Sequence, residues 1–282
     1  MRKSKTVVIK PKRHLLDVNL KELVQYKDLI VMFVKRDFIS VYKQTVLGPF
    51  WFFIQPLLTS ITFTIIFATI AGITTEGIPA ILFYLGGLTL WNYFSNCLTN
   101  TANTFITNKH IFGKVYFPRL VIPISVTISG LFKVGIQLLM FFIFWIYHWS
   151  TNDIIQPNSV AFLLPILILL LAGLSLSMGI IVSSLTTKYR DFTFLLAFGV
   201  QLFMYATPII YPSSIIPEKF QFLLKYNPVT PIIDTFKHGF LNPDKFAFEP
   251  MGLLYSFSVM VVMLFIGVVT FNKVEQKFMD TV

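Results

Sequence analysis

The strongest constraint on this chain is a boundary at Gly48-Pro49. Before it, charges recur every few residues; after it, Glu76 is the only charged residue as far as Leu98. Proline lacks an N–H and glycine relaxes the backbone, so the pair also marks a bend. A chain that changes character so abruptly passes from a polar surface into a bilayer. Only 13% of its 282 residues are charged and 55% are hydrophobic, against about 25% charged in an ordinary soluble domain. Too little polar surface remains to cover a globule, and long apolar runs select helices. The expected fold is an all-α integral membrane protein.

Six apolar stretches approach the roughly 20 residues that a hydrocarbon core requires. They lie near 50–71, 78–98, 120–147, 160–184, 192–210 and 251–271. Pro56 predicts a kink or short break in the first. The third is long enough to tilt or to begin on the surface. In the fourth, Gly173, Ser175, Ser177, Gly179 and Ser183 predict close helix packing.

Residues 1–19 read as a flexible basic cytoplasmic tail, with no apolar run that would make a cleavable signal peptide. In 20–48, Leu20, Leu23, Val24, Ile30, Val34, Phe38 and Val41 recur at helical spacing between charged residues. This predicts an amphipathic helix at the membrane interface, too charged to span. Residues 49–282 then form the transmembrane domain.

Eleven Lys and Arg precede Gly48, and Lys109, Lys114, Arg119, Lys188, Arg190, Lys273 and Lys277 fall beside alternate ends of the spans. The turns at 72–77 and 148–158 hold none. The positive-inside rule therefore places both termini in the cytoplasm. In 211–249, four Lys are balanced by four acids, and repeated prolines cut the segment into helical pieces near 215–226 and 230–241. It is either an ordered external loop or a pair of short re-entrant helices between spans five and six; the latter implies a pore.

The net charge of +10 suits anionic lipid or nucleic acid. Lipid is favoured because the charges flank apolar spans, so no nucleic-acid partner is expected. The single cysteine, Cys97, excludes an internal disulfide and a cysteine-based metal cluster. No phosphate-binding Gly-x-x-x-x-Gly-Lys-[Ser/Thr] loop and no His-Glu-x-x-His motif is present. His148 and Asp153, spaced as in some acyltransferases, sit in a short external turn. The spans are nearly free of carboxylates, which argues against a proton relay. Lys133 is the one clear charge within a span. It either snorkels to the surface or pairs structurally, or it faces a pore. The abundant aromatics serve interface belts and packing, or a conduit whose flat rings offer sugars apolar faces. Thr59, Thr62, Gln201 and Thr207 are polar candidates within the spans.

Several motifs together carry a family resemblance. They are Lys35-Arg36-Asp37-Phe38 leading into Tyr42-Lys43-Gln44-Thr45-Val46-Leu47-Gly48-Pro49-Phe50-Trp51 and Gln55-Pro56, and the loop Asn108–Arg119 followed by Pro123. To these add Tyr205-Ala206-Thr207-Pro208-Ile209-Ile210-Tyr211-Pro212, Asn227-Pro228, and Glu275 with Phe278-Met279-Asp280. From about residue 20 onward the chain resembles the permease subunits of type-2 ABC exporters for surface polysaccharide, a group that serves O-antigen, capsule and teichoic acid.

The resemblance implies a non-enzymatic transport subunit in a bacterial inner membrane. A second copy of the chain and two copies of an ABC ATPase would complete the transporter. ATP and Mg would be bound by that partner and no cofactor by this chain. The cargo would be a lipid-linked polysaccharide. The 20–45 segment would be the interface helix, and Lys35, Arg36 and Lys43 would meet the anionic linker, although Lys43 could equally anchor the first span. Asn108, Lys109, Phe112, Lys114, Tyr116 and Arg119 would belong to the loop that docks in the ATPase. Trp51, Phe52, Trp91, Tyr93, Lys133, Gln201 and Tyr205 are the conduit candidates. Three other readings stay open: a type-2 permease for a small drug or lipid, a membrane enzyme acting on lipid-linked sugar, and a structural membrane partner.

Overall fold

Apolar length sets the architecture. The computed structural model describes residues 20–42, 48–112, 114–115, 117–151, 153–189 and 191–278, and among them it contains helices and turns but no strand. The helices are α1 (Leu20–Gln25), α2 (Lys27–Tyr42), α3 (Trp51–Phe63), α4 (Ala80–Ala102), α5 (Thr104–Thr107), α6 (Lys109–Phe112), α7 (Val121–Thr151), α8 (Leu164–Lys188), α9 (Phe192–Tyr205), α10 (Gln221–Lys225), α11 (Thr230–Phe240) and α12 (Pro250–Phe278). The expected tail 1–19, together with Lys43 and Tyr116, lies outside the described residues.

Four stretches are long and apolar enough to cross a bilayer: Trp51–Ile70, Val121–Thr151, Ser159–Lys188 and Pro250–Val274. Two expected spans differ from these. Helix α4 has the length, with 23 residues, but carries Asn92, Asn96 and Asn100. Helix α9 has only 14 residues and ends before Pro208. There the Asn227 amide donates to the carbonyl of Ala206 at 2.9 Å and to the Thr207 hydroxyl at 2.8 Å. These side-chain bonds stabilise a turn where hydropathy alone predicts more helix.

Helix α3 runs through Pro56 without a break. Its irregularity comes later, as a π-helical turn over Thr64–Ile70. The hydroxyls of Thr59, Ser60, Thr62 and Thr64 each donate to the carbonyl four residues back, and Thr69 donates to Thr64 five residues back. Such bonds compete with the backbone ladder and loosen it. At the other end of α3, Gly48 takes φ +48° within the turn Gly48–Phe50. That left-handed conformation is what the Gly-Pro pair predicts for a bend.

Helix α4 is the hub, packed against α3, α7, α8, α9 and α11. Its buried face includes Leu82, Phe83, Leu85, Leu90 and Phe94. Helices α4 and α8 approach closely at Gly179, where an added Cβ would stand 2.6 Å from the Thr101 Cβ and 3.0 Å from the Leu98 carbonyl oxygen. Further along the same seam, the Thr186 hydroxyl donates to the Ala102 carbonyl at 2.7 Å. The small residues of the fourth apolar stretch are therefore packing residues, as their spacing predicts.

Helix α11 lies within the bundle. Pro231 sits in its first turn, where the missing N–H is harmless, and Ile232, Ile233 and Phe236 are fully buried. The backbone N–H groups of Gln156 and Asn158 donate to the carbonyls of Leu241 and Gly239, and Trp145 donates to Phe240 at 2.6 Å. At the end that bears α5 and α6, a second apolar cluster joins Leu23 and Phe33 to Phe105, Phe112, Phe117 and Phe271. It links α1 and α2 to α12 through the short helices.

Candidate functional site

A polar cavity of about 460 Å³ opens between α2, α3, α4 and α7. Two helix faces shape it. Asn92, Asn96 and Asn100 follow one another at four-residue spacing on α4, and Ser129, Lys133 and Gln137 do so on α7. Four residues rise about 6 Å along a helix and stay nearly on one face. Each helix therefore presents a row of three polar side chains to the same space. Phe52 and Gln55 close it from α3, and Arg36 and Asp37 from α2.

The α4–α7 seam beneath the cavity is tight. A Cβ on Gly130 would stand 2.6 Å from the Cys97 Sγ and 2.8 Å from Tyr93. The Tyr93 hydroxyl donates to the Thr127 carbonyl at 3.4 Å. Glycine at 130 lets the helices meet.

Two cations belong to the cavity. Arg36 donates to the Asp37 carboxylate from Nε at 3.0 Å and from Nη2 at 2.7 Å, and it lies 4.6 Å from the Phe33 ring centroid. Lys133 Nζ stands 5.9 Å from the Phe52 ring centroid. The cavity therefore offers cationic and amide donors with aromatic edges, a chemistry suited to an anionic or hydroxyl-rich ligand. Among the described residues, no group of three or more His, Cys, Asp or Glu side chains is placed to hold a metal.

The candidates from sequence separate in space. Phe52, Tyr93, Lys133 and Arg36 come together at this cavity, joined by Asn108. Trp51 is exposed on α3, and Gln201 and Tyr205 are exposed on α9, away from it. Trp91 is 4% exposed, packed against Phe94 at 5.5 Å and Phe203 at 5.8 Å. Lys35 is exposed. In the loop after α4, Lys109 and Lys114 are exposed while Phe112 and Arg119 are buried. The Arg119 guanidinium lies 5.1 Å from the Phe112 ring and 5.7 Å from the Phe105 ring. Arg119 thus braces the loop from inside. His148 lies in the last turn of α7, edge-on to Tyr147, and outside the cavity.

Two features escape the sequence reading. The asparagine row is visible only once the spacing of Asn92, Asn96 and Asn100 is taken as helical. Lys237, which counts merely as a balanced loop charge, is fully buried in α11. Its Nζ donates to the Pro208 carbonyl at 2.6 Å and stands 3.6 Å from the Phe83 ring centroid. Asp234, one turn back, is buried too. Burial pushes the Lys237 ammonium below its ordinary range and the Asp234 carboxyl above its own.

Residues 28–241 match the family described as ABC-2 type transporter. The chain is also similar to curated proteins named O-antigen export system permease protein RfbA. Two from Klebsiella pneumoniae are 30% and 32% identical, each over 90% of this chain and 94% of the relative. One from Myxococcus xanthus is 24% identical over 93% of this chain and 98% of the relative.

Proposed function

We propose that this chain, which belongs to the ABC-2 type transporter family, is the membrane-spanning subunit of an ATP-driven exporter for lipid-linked polysaccharide. The cargo would move from the cytoplasmic to the outer face of a bacterial inner membrane. The observation that carries this reading is the polar, cation-bearing cavity, in a chain similar along nearly its whole length to O-antigen export permeases. A small apolar drug would find few matching surfaces among amides and ammonium groups.

In this reading α4 and α9 complete a set of six spans with both termini in the cytoplasm. The amide row of α4 faces the cavity rather than lipid, which would explain its modest hydropathy. Helix α2 lies along the interface, and α10 and α11 are the short re-entrant helices near the outer gate. Two copies of this chain work with two ATPase subunits, which bind ATP and Mg. The sequence has no phosphate-binding loop of its own. The exposed Lys109 and Lys114 meet the ATPase, while buried Phe112 and Arg119 carry the push into the aromatic cluster beneath α2. Trp51, Phe52, Tyr93, Lys133, Gln201 and Tyr205 remain conduit candidates, with Trp91 supporting them from the core.

Deletion of the chain tests the class. Lipid-linked polysaccharide should accumulate on the cytoplasmic side and surface polymer should disappear. Normal surface polymer in the deletion strain would overturn the proposal.

The anionic linker of the cargo is drawn to the basic residues Lys35, Arg36 and Lys43. Charge-assisted hydrogen bonds contribute about 1.5–3 kcal/mol each. The combined Lys35→Gln, Arg36→Gln and Lys43→Gln variant should therefore lower export at least tenfold while still co-purifying with the ATPase. Unchanged export from an assembled complex would remove these residues from linker binding.

A further inference from the structure

We infer that the facing rows on α4 and α7 form a hydrogen-bonding track for the sugar hydroxyls of the transported chain. This rests on the export reading above and deepens it. The aromatic residues of this region are mostly committed to packing, whereas the amides are not.

The geometry of the amides supports this assignment. Asn96 Nδ2 donates to the Asn92 carbonyl at 2.7 Å, and Asn100 Nδ2 donates to the Asn96 carbonyl at 2.8 Å. An asparagine amide has two N–H donors and one acceptor oxygen. Here one N–H is spent on the helix itself. That bond fixes the side-chain orientation and leaves the Oδ1 oxygen and the second N–H directed away from the backbone. A hydroxyl group both donates and accepts, so it matches this residual pair. The row extends about 12 Å from Asn92 to Asn100, at two helical steps of about 6 Å.

The opposite wall complements the first. Lys133 and Gln137 on α7 add donors, and Gln55 on α3 adds a further amide at the rim. No carboxylate stands within 4 Å of Lys133 among the described residues, where the one ion pair is Arg36–Asp37. Asn96 and Asn100 are exposed, so nothing among the described residues covers them.

Lipid is a poor occupant of such a face. Polar groups left unpaired in hydrocarbon are costly, so polar residues in spans face protein, water or substrate. A polyhydroxylated chain fits best: it is long enough to touch successive amides and weakly held at each. Weak, repeated binding is also what passage requires.

The test uses the assembled transporter in cells labelled with radioactive hexose. A photoreactive phenylalanine analogue at position 100 should cross-link labelled glycan, and one at Phe194 on the outer face of α9 should not. Asn96→Leu with Asn100→Leu should cut surface polymer roughly tenfold, the scale of two lost hydrogen bonds. Co-purification with the ATPase should persist. Asn96→Gln with Asn100→Gln, which keeps the amides, should recover part of the export.

If the leucine pair assembles and exports normally, the track is overturned while the deletion result still supports polysaccharide export. If the leucine pair fails to assemble, the position-100 cross-link decides. Cross-linking to a second copy of the chain instead of glycan would make the row a protomer seam and overturn the track. If deletion itself leaves the glycan unaffected, the underlying export reading fails first.

Discussion

Gly179→Val should leave almost no well-assembled protein. An added Cβ would stand 2.6 Å from the Thr101 Cβ, 2.7 Å from its Cγ2 and 3.0 Å from the Leu98 carbonyl oxygen. The first two belong to a branched, buried side chain and the third to helical backbone. None of them is the free end of a flexible chain that could swing aside. Valine adds two further methyl groups, so α8 has to move away from α4. The Thr186 to Ala102 hydrogen bond lies two turns along this seam and would stretch with it. Overpacking of this kind costs about 1–3 kcal/mol, about 5- to 160-fold in the folded-to-unfolded ratio, and losses of this size change the abundance of a protein several-fold or more. Fluorescence-detected gel filtration in mild detergent should show the monodisperse peak falling to roughly a tenth. Gly199→Val is the control, because Gly199 on α9 has nothing within 4 Å of a Cβ. A normal peak for Gly179→Val would mean that the α4–α8 seam is looser than its distances imply.

Lys237→Met should be nearly as damaging, for an electrostatic reason. The lysine is fully buried, donates to the Pro208 carbonyl and lies over the Phe83 ring. It joins three separate pieces: α4, the turn after α9, and α11. Methionine keeps most of the stem volume but removes the cation. The Pro208 carbonyl then loses its donor, and buried Asp234 loses the nearby charge that offsets its own desolvation. Leaving two buried polar groups, that carbonyl and the Asp234 carboxyl, without compensation costs about 1–3 kcal/mol each. For a chain of this size that corresponds to a fall of about 10 °C in the thermal midpoint. Adding Asp234→Asn to Lys237→Met should recover more than half of the loss, because the orphaned carboxyl disappears. If the double variant is no more stable than the single, the damage comes from the Pro208 and Phe83 contacts and not from Asp234.

The long spans were legible because a bilayer imposes a length that hydropathy detects. Trp51–Ile70, Val121–Thr151, Ser159–Lys188 and Pro250–Val274 fall close to the expected stretches. The end of α9 was not, because it depends on Asn227, a residue about twenty positions away that bonds to Ala206 and Thr207. Nor was the break in regular helix near Thr64, which follows from a run of hydroxyls and not from Pro56.

The candidate site was legible in part. Phe52, Lys133 and Arg36 could be named as unusual residues, and the fold brings them to one cavity. Trp91 could not be placed, since an aromatic ring suits lipid, a conduit or a helix interface equally well. It settles against Phe94 and Phe203. Asn92, Asn96 and Asn100 mattered only as a set, and Arg119 changed meaning once its burial beside Phe105 and Phe112 was visible.

The tight contact at Gly130 has a practical consequence. Cys97 is the protein's only cysteine, and its sulfur is held against Gly130 with 1% of its surface exposed. The native protein therefore carries one thiol, placed at the floor of the polar cavity and shielded by the meeting of two helices. Any working motion that parts α4 from α7 would uncover it. The rate at which a small maleimide labels the unmodified protein becomes a clock for that opening, and it can be read during turnover without engineering a probe into the chain.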